Sequence, residues 1–209
     1  RIKKRSDILL SKKIEPCHGS TVIKTRTEIE EHCRASVSDA IKNRHSLRMF
    51  SDTEVDMTAV DRAISAAQRS PSACNLQPVR LTIFKSQLMI DQVLTLQAGA
   101  RGFYTEVKLL FIVSFELGLH IGPRSRNQGY TDGGLFSQSL MLALLGEGIG
   151  TCPLNWAQEI VTDEKMRALT KLPDSENIVM LIAAGNLPES FEVAGSQRVD
   201  LNTVRRYGD

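Results

Sequence analysis

Arg44-His45-Ser46-Leu47-Arg48-Met49-Phe50 and, further along, Ser70-Pro71-Ser72-Ala73-Cys74-Asn75-Leu76-Gln77-Pro78 are the two stretches on which the reading of this chain turns. In an extended backbone successive side chains point to opposite sides, so Arg44, Ser46 and Arg48 share one side and His45, Leu47 and Met49 the other. Two guanidiniums and a hydroxyl on one side form a donor cluster that matches a phosphate dianion. The plainer reading is a pair of surface arginines in solvated ion pairs. In the second stretch Pro71 and Pro78 frame Ser72, Asn75 and Gln77. Amide side chains both donate and accept, which suits the edge of a planar heterocycle with alternating C=O and N–H groups. The plainer reading here is a helix-to-strand connection made of ordinary turn residues. Together the two stretches point to a flat, phosphorylated cofactor.

The rest of the chain narrows the classes of protein that fit. Its 209 residues suffice for one domain with a substantial core, or two small ones. Hydrophobic residues at 42% and charged residues at 24% are ordinary for a globular protein. A net charge of +2 argues neither for nucleic acid nor for a membrane surface. The longest apolar run, Leu109 to Phe115, has the length of a strand and not of a membrane span. Cys17, Cys33, Cys74 and Cys152 form no CxxC pair, and no His stands at zinc-ligand spacing from them. Free thiols of a cytoplasmic protein, with no metal, are therefore expected. Residues 1–34 are polar, open on a basic run and lack a clean period, so they read as an extension or linker ahead of a domain over 35–209.

Periodicity places the elements. Ser36-Val-Ser38 offers an N-cap for a helix over 39–42. Val60, Ile64 and Ala67 mark a helix over 57–69, stopped by Pro71. Residues 79–84 alternate as a strand, 86–96 read as a helix, and 107–115 as a buried strand. A long helix over Leu135–Glu147, opened by Asp132 or its glycines, is apolar almost all round and expected to be central. Residues 157–172 form an amphipathic helix with Ile160, Met166 and Leu169 inward, and 178–183 a last core strand. Helices interleaved with few strands imply an α+β or α/β sandwich around one sheet.

Two further segments carry chemistry. Gly146-Glu-Gly-Ile-Gly-Thr-Cys-Pro-Leu-Asn-Trp156 follows a helix and holds neither a GxGxxG after a strand nor a P-loop. It reads as a C-cap and loop whose glycines let the backbone approach a ligand. Ser196-Gln-Arg198 supplies one more cation near the carboxyl end. Cys74 reads as a small buried filler, and Trp156 either as a pocket wall or as packing at a helix start.

In this order the four segments resemble the nitroreductase family, FMN-dependent NAD(P)H oxidoreductases. The R-x-S-x-R-x-F segment, the P-S-x-x-N-x-Q-P turn, the glycines followed by Pro-Leu-Asn and the final S-x-R all match, over roughly residues 37–205. The stretch from Gly99 to Phe103 and on through Tyr130-Thr-Asp-Gly-Gly134 is similar to a bacterial subgroup associated with polysaccharide biosynthesis. The resemblance implies an α+β sandwich with a central, mostly antiparallel sheet flanked by helices, packed as an intimate homodimer through the long helix. It implies FMN as cofactor, NAD(P)H as electron donor and ping-pong transfer through flavin N5 to a small electron-poor acceptor such as a nitro compound or quinone. Arg44, Ser46 and Arg48 match the phosphate and ribityl contacts, with His45 contributing its backbone. Arg198 matches a second phosphate cation. Pro71, Ser72, Ala73, Asn75 and Gln77 match the turn that lines the flavin, commonly supplied by the partner subunit. Pro153, Leu154 and Asn155 match the segment along the isoalloxazine, with the N–H near Asn155 aimed at N5. The flavin carries the reaction, so no protein side chain is named as catalytic.

The sequence also departs from the family pattern. Val79 stands where an aromatic residue often follows Q-P, and Asn155 where an acid is frequent. Two alternatives follow: a flavin enzyme dedicated to one metabolite, such as a saccharide-linked intermediate, or a non-catalytic dimerisation or sensing domain of a longer polypeptide.

Overall fold

The computed structural model describes residues 21–35, 37–119, 122 and 125–208. Expectations for residues 1–20, and for Ser36 as an N-cap, lie outside the described residues. The chain divides into a large compact unit, Ile23–Val193, and a smaller one that includes residues 194–208. The described part of the smaller unit holds a short helix, α7 (Leu201–Val204), N-capped by Asp200, whose carboxylate accepts from Asn202 N at 2.8 Å.

The large unit is an α+β sandwich, as expected. Its sheet runs in the order β2 (Val79–Phe84), β3 (Leu109–Glu116), β5 (Glu176–Asn186), β4 (Ile149–Asn155), with every neighbour antiparallel. A second, two-stranded sheet pairs β1 (Thr21–Thr25) with β6 (Ser190–Ala194). β3 is central and buried on both faces. Leu109, Phe111 and Val113 enter one core cluster and Leu110 and Ile112 the other, the alternation that a strand imposes. The first cluster lies under α3 (Met57–Ala67) and α5 (Gln128–Gly146). The second gathers α4 (Gln87–Gln97), Met166 of α6 (Ile160–Thr170), and Leu47 and Phe50. Two helices, α1 (Arg26–Ala35) and α2 (Val37–Asn43), lead into the arginine segment. Asp56, unremarked in the sequence, caps α3: its carboxylate accepts from Thr58 N at 2.9 Å.

Four expectations need correction. The long helix begins at Gln128, not near Leu135, and carries its glycines inside. A Cβ at Gly129 would sit 2.1 Å from the Phe115 ring, and one at Gly133 2.6 Å from Val179. The glycines are there because α5 presses closely on the sheet, so they do not open it. Ile160 is 78% exposed, not inward. Six residues before Met166, it lies about 120° away round a helix of about 100° per residue. Residues 149–155 form a strand where a loop was expected. Pro153 is tolerated because β4 is an edge strand. Cys74 is exposed rather than buried, because it lies on a surface turn that buries no side chain from Pro71 to Gln77.

Candidate cofactor site

The arginine segment is held against the outer edge of β4. Arg44 N continues the preceding helical turn, donating to Ala40 O at 2.9 Å. Ser46 then bridges Thr151 in parallel, and Leu47 N donates to Thr151 O at 2.9 Å. Arg44, His45 and Ser46 are all half-buried, Leu47 is buried and Arg48 exposed, so the expected alternation holds only over Ser46–Arg48; Arg44, still on the helical turn, does not take part in it. Beyond Arg48 the alternation fails: Met49 is exposed and Phe50 buried. The cause is that the segment makes only one bridge to β4 and then crosses to β5, where Ser51 N donates to Asn186 O at 2.9 Å. A Cβ at Gly150 would lie 2.8 Å from Leu47 Cδ2, so this glycine sets how closely the segment approaches the strand.

Two guanidiniums gather at one place on this edge. Burial pushes the Cys152 thiol above its usual range, while the charges of Arg48 and then Arg44, and a hydrogen bond from Arg48, pull it back. Both cations thus act on the same buried sulfur in β4, Arg48 through its charge and a hydrogen bond and Arg44 through its charge. Two like charges brought together beside a neutral thiol form a place for an anion. That donor set fits the phosphorylated cofactor expected from the sequence.

The next residues of β4 continue the site. Pro153 is half-buried and Leu154 buried, with its side chain in the core. Asn155 is exposed. Its carbonyl accepts from Gln97 Nε2 at 3.1 Å, Gly99 N donates to Gln97 Oε1 at 2.7 Å, and Gln158 Nε2 donates to Gln97 O at 3.0 Å. Gln97 is buried and thus fixes the end of β4. Nothing in the sequence singled it out. Trp156 packs on the core and donates from Nε1 to Asp163 at 2.8 Å, which bears out the packing reading.

The amide turn stands elsewhere. Pro71, Asn75 and Gln77 are exposed, and Ser72 and Ala73 half-buried. Cys74, Asn75 and Gln77 all adopt positive φ, at 50°, 56° and 48°. For residues with a Cβ each such conformation costs about 1–3 kcal/mol and persists only where the surroundings hold it. Ser72 O accepts from Asn75 N and Ala73 O from Leu76 N, both at 3.0 Å, and Ser72 Oγ accepts from Gln77 N at 3.0 Å. Ala73 N donates to both carboxylate oxygens of Asp132, at 3.3 Å each, and Gln128 Nε2 donates to Asp132 at 2.8 Å. The sequence placed Asp132 at the start of a helix. The signal for its real role is an acid inside an otherwise apolar helix, since such residues are buried only with partners. A cleft of about 380 Å³ opens beside the turn, lined among others by Gln68, Ser70, Gln77, Asp132 and Phe136.

The turn leads into β2 and the arginine segment lies along β4, the opposite edges of the sheet. Three inter-strand steps separate them, about 14 Å. Within one chain the two halves thus lie at different edges of the sheet. Arg198 belongs to the smaller unit, where it is exposed and donates from Nη1 to Ser196 O at 2.8 Å.

Known proteins bear out the resemblance to the nitroreductase family, while none of the matches supports the polysaccharide-associated subgroup. A model of the Nitroreductase family matches residues 41–100, the span that holds both opening stretches. No curated protein matches. Among solved structures, the Nitroreductase Family Protein from Streptococcus pneumoniae is 19% identical with a TM-score of 0.70, covering 83% of this chain and 100% of its own. An FMN-dependent nitroreductase from Clostridium difficile is 17% identical with a TM-score of 0.67, covering 81% and 98%. A protein from Parabacteroides distasonis, described as an NADH dehydrogenase/NAD(P)H nitroreductase, is 22% identical with a TM-score of 0.71, covering 82% and 97%. The chain has the nitroreductase fold. No helix of the described residues is long and apolar enough to cross a membrane.

Proposed function

We propose that the protein is an FMN-dependent NAD(P)H oxidoreductase acting in the cytoplasm on a small electron-poor acceptor such as a nitro compound or quinone. The observation that carries this reading is the docking of the Arg44–Arg48 segment on the outer edge of β4, through the Ser46–Thr151 bridge and the bond from Leu47 N to Thr151 O, next to the Pro153–Asn155 backbone. When bound, FMN supplies a carrier that takes a hydride from NAD(P)H and passes the electrons on. The chain supplies placement and charge. Arg44, Ser46 and Arg48 hold the phosphate and ribityl chain, with His45 adding its backbone. Arg48 and Asn75 donate to the pyrimidine edge, where negative charge develops on reduction. Pro153 and Leu154 would hold the ring, and Asn155 N–H would donate to its central nitrogen. Pro71, Ser72, Ala73 and Gln77 cover it from a second copy of the chain.

That second copy follows from the separation of the two halves across the sheet. A homodimer that places the β2 edge of one chain over the β4 edge of its partner completes two sites by symmetry. The long helix α5 supports it, since it leaves two large side chains outward, Tyr130 at 46% and Leu135 at 43% exposure.

The test is an absorption spectrum of protein purified with FMN, followed by NAD(P)H oxidation assays with quinones and nitroaromatics. A bound flavin chromophore and parallel lines in double-reciprocal plots are expected. Protein that binds no flavin overturns the reading. Bound flavin with negligible turnover on every general acceptor favours an enzyme dedicated to one metabolite.

A further inference from the structure

The amide turn is strained and exposed, yet it has a defined shape, and the source of that shape lies outside it. Most of its hydrogen bonds are local, joining Ser72 to Asn75 and Gln77, and Ala73 to Leu76. The bonds from Ala73 N to Asp132 span 59 positions and tie the turn to α5. Asp132 is only 1% exposed. A carboxylate that has given up water must be matched by donors, and here the donors are Ala73 N and Gln128 Nε2. Its location is in turn set by the two glycines flanking it on α5. With any side chain at Gly129 or Gly133 the helix would stand off from Phe115 and Val179 and draw the carboxylate away from the turn.

We infer that Asp132 is a positioning residue for the cofactor: it touches no cofactor atom, but by gripping Ala73 N it holds Ser72, Asn75 and Gln77 in the one conformation that can cover a flavin. The inference rests on the FMN reading above. It differs from a general packing role because it predicts a local effect at the turn and an effect on flavin affinity, with the sheet unaffected.

The experiment compares the whole protein with Asp132→Ala and Asp132→Asn by two readouts. Amide hydrogen exchange across residues 72–77 of the apoprotein needs no cofactor. FMN affinity is measured by flavin fluorescence titration. Asp132→Ala is expected to speed exchange at the turn while β3 and β5 stay protected. It is expected to weaken FMN binding at least about tenfold, the loss of one hydrogen bond to a charged acceptor. Asp132→Asn keeps the shape but offers one acceptor oxygen for two donors, and should fall between, at roughly threefold. Should the alanine variant not fold, the asparagine variant carries the test. Turn exchange or FMN affinity equal to wild type in the folded variants overturns the inference. A wild-type protein that binds no FMN overturns the functional reading instead, and the two failures are told apart by that control.

Discussion

The two halves of the candidate site are built in opposite ways. The arginine segment borrows its shape from regular structure: it bridges β4 at Ser46 and buries Leu47 and Phe50 in the core. Its cations are carried outward by a backbone that packing already holds. The amide turn has no strand beside it and no buried side chain between Pro71 and Gln77. It holds three left-handed residues in place with local hydrogen bonds and one remote carboxylate. One half is thus stiff because of what its apolar residues bury, the other because of what its polar atoms are bonded to. They stand on opposite edges of one sheet, and the proposed homodimer would bring them together.

Removing the charge from the stiff half tests it most severely. Arg44→Ala with Arg48→Ala deletes two charge-assisted contacts of about 1.5–3 kcal/mol each, and FMN affinity should fall by roughly a hundredfold or more. Fluorescence titration checks it, with circular dichroism confirming that the fold is kept. A near-normal affinity would mean that the cations do not face the cofactor.

Mixing then asks whether the halves meet across chains. Combine the Arg44→Ala, Arg48→Ala protein with an Asn75→Ala, Gln77→Ala protein after dissociating both. Half of each heterodimer's sites would pair an intact arginine segment with an intact turn, so about a quarter of all sites should regain wild-type flavin binding after random reassortment. If both halves came from one chain, mixing would restore nothing.

A smaller effect isolates the packing that supports the arginine segment. Gly150→Ala places a methyl 2.8 Å from Leu47 Cδ2 in a buried contact, and overpacking of this kind costs about 1–3 kcal/mol. Denaturant unfolding should show that loss together with weaker flavin binding, because Arg48 is next to Leu47. Gly134→Ala, where an added Cβ meets nothing within 4 Å, is the control.

The smallest expected change lies at neither half. Asp56→Ala removes the cap of α3, lowering Tm by on the order of a few degrees in a thermal scan at neutral pH. The Thr58 hydroxyl and N–H hold the Asp56 carboxyl below its usual value. Its contribution is therefore present above the ordinary carboxylate range and lost as pH falls through that lowered value. The gap between wild type and variant should close in acid; a gap that stays constant would show that the cap does not work through the charge.

How much was legible in advance follows the same division. The sheet strands over 79–84, 109–116 and 176–186 and the helices α3, α4 and α6 were found within a few residues, because burial on one or both faces writes itself into local periodicity. β4 was not, because glycines and Pro153 read as a loop when the strand's neighbours are unknown. Ile160 misled because an apolar residue at the mouth of a helix resembles a core position until the phase of the whole helix is counted.

The site divides likewise. By itself the sequence determined which chemistry is present: paired cations at alternate positions, an amide-bearing turn between prolines, and a hydrophobic pattern sufficient for the sandwich. These are local properties, carried by residues a few positions apart. Only the tertiary structure decided that the arginine segment docks on β4 beside Cys152, that Asp132 grips Ala73, and that the two halves lie at opposite edges of the sheet within one chain. Those facts depend on strand order and on how closely α5 approaches the sheet. No short stretch encodes either, because both arise from contacts between residues far apart in the chain.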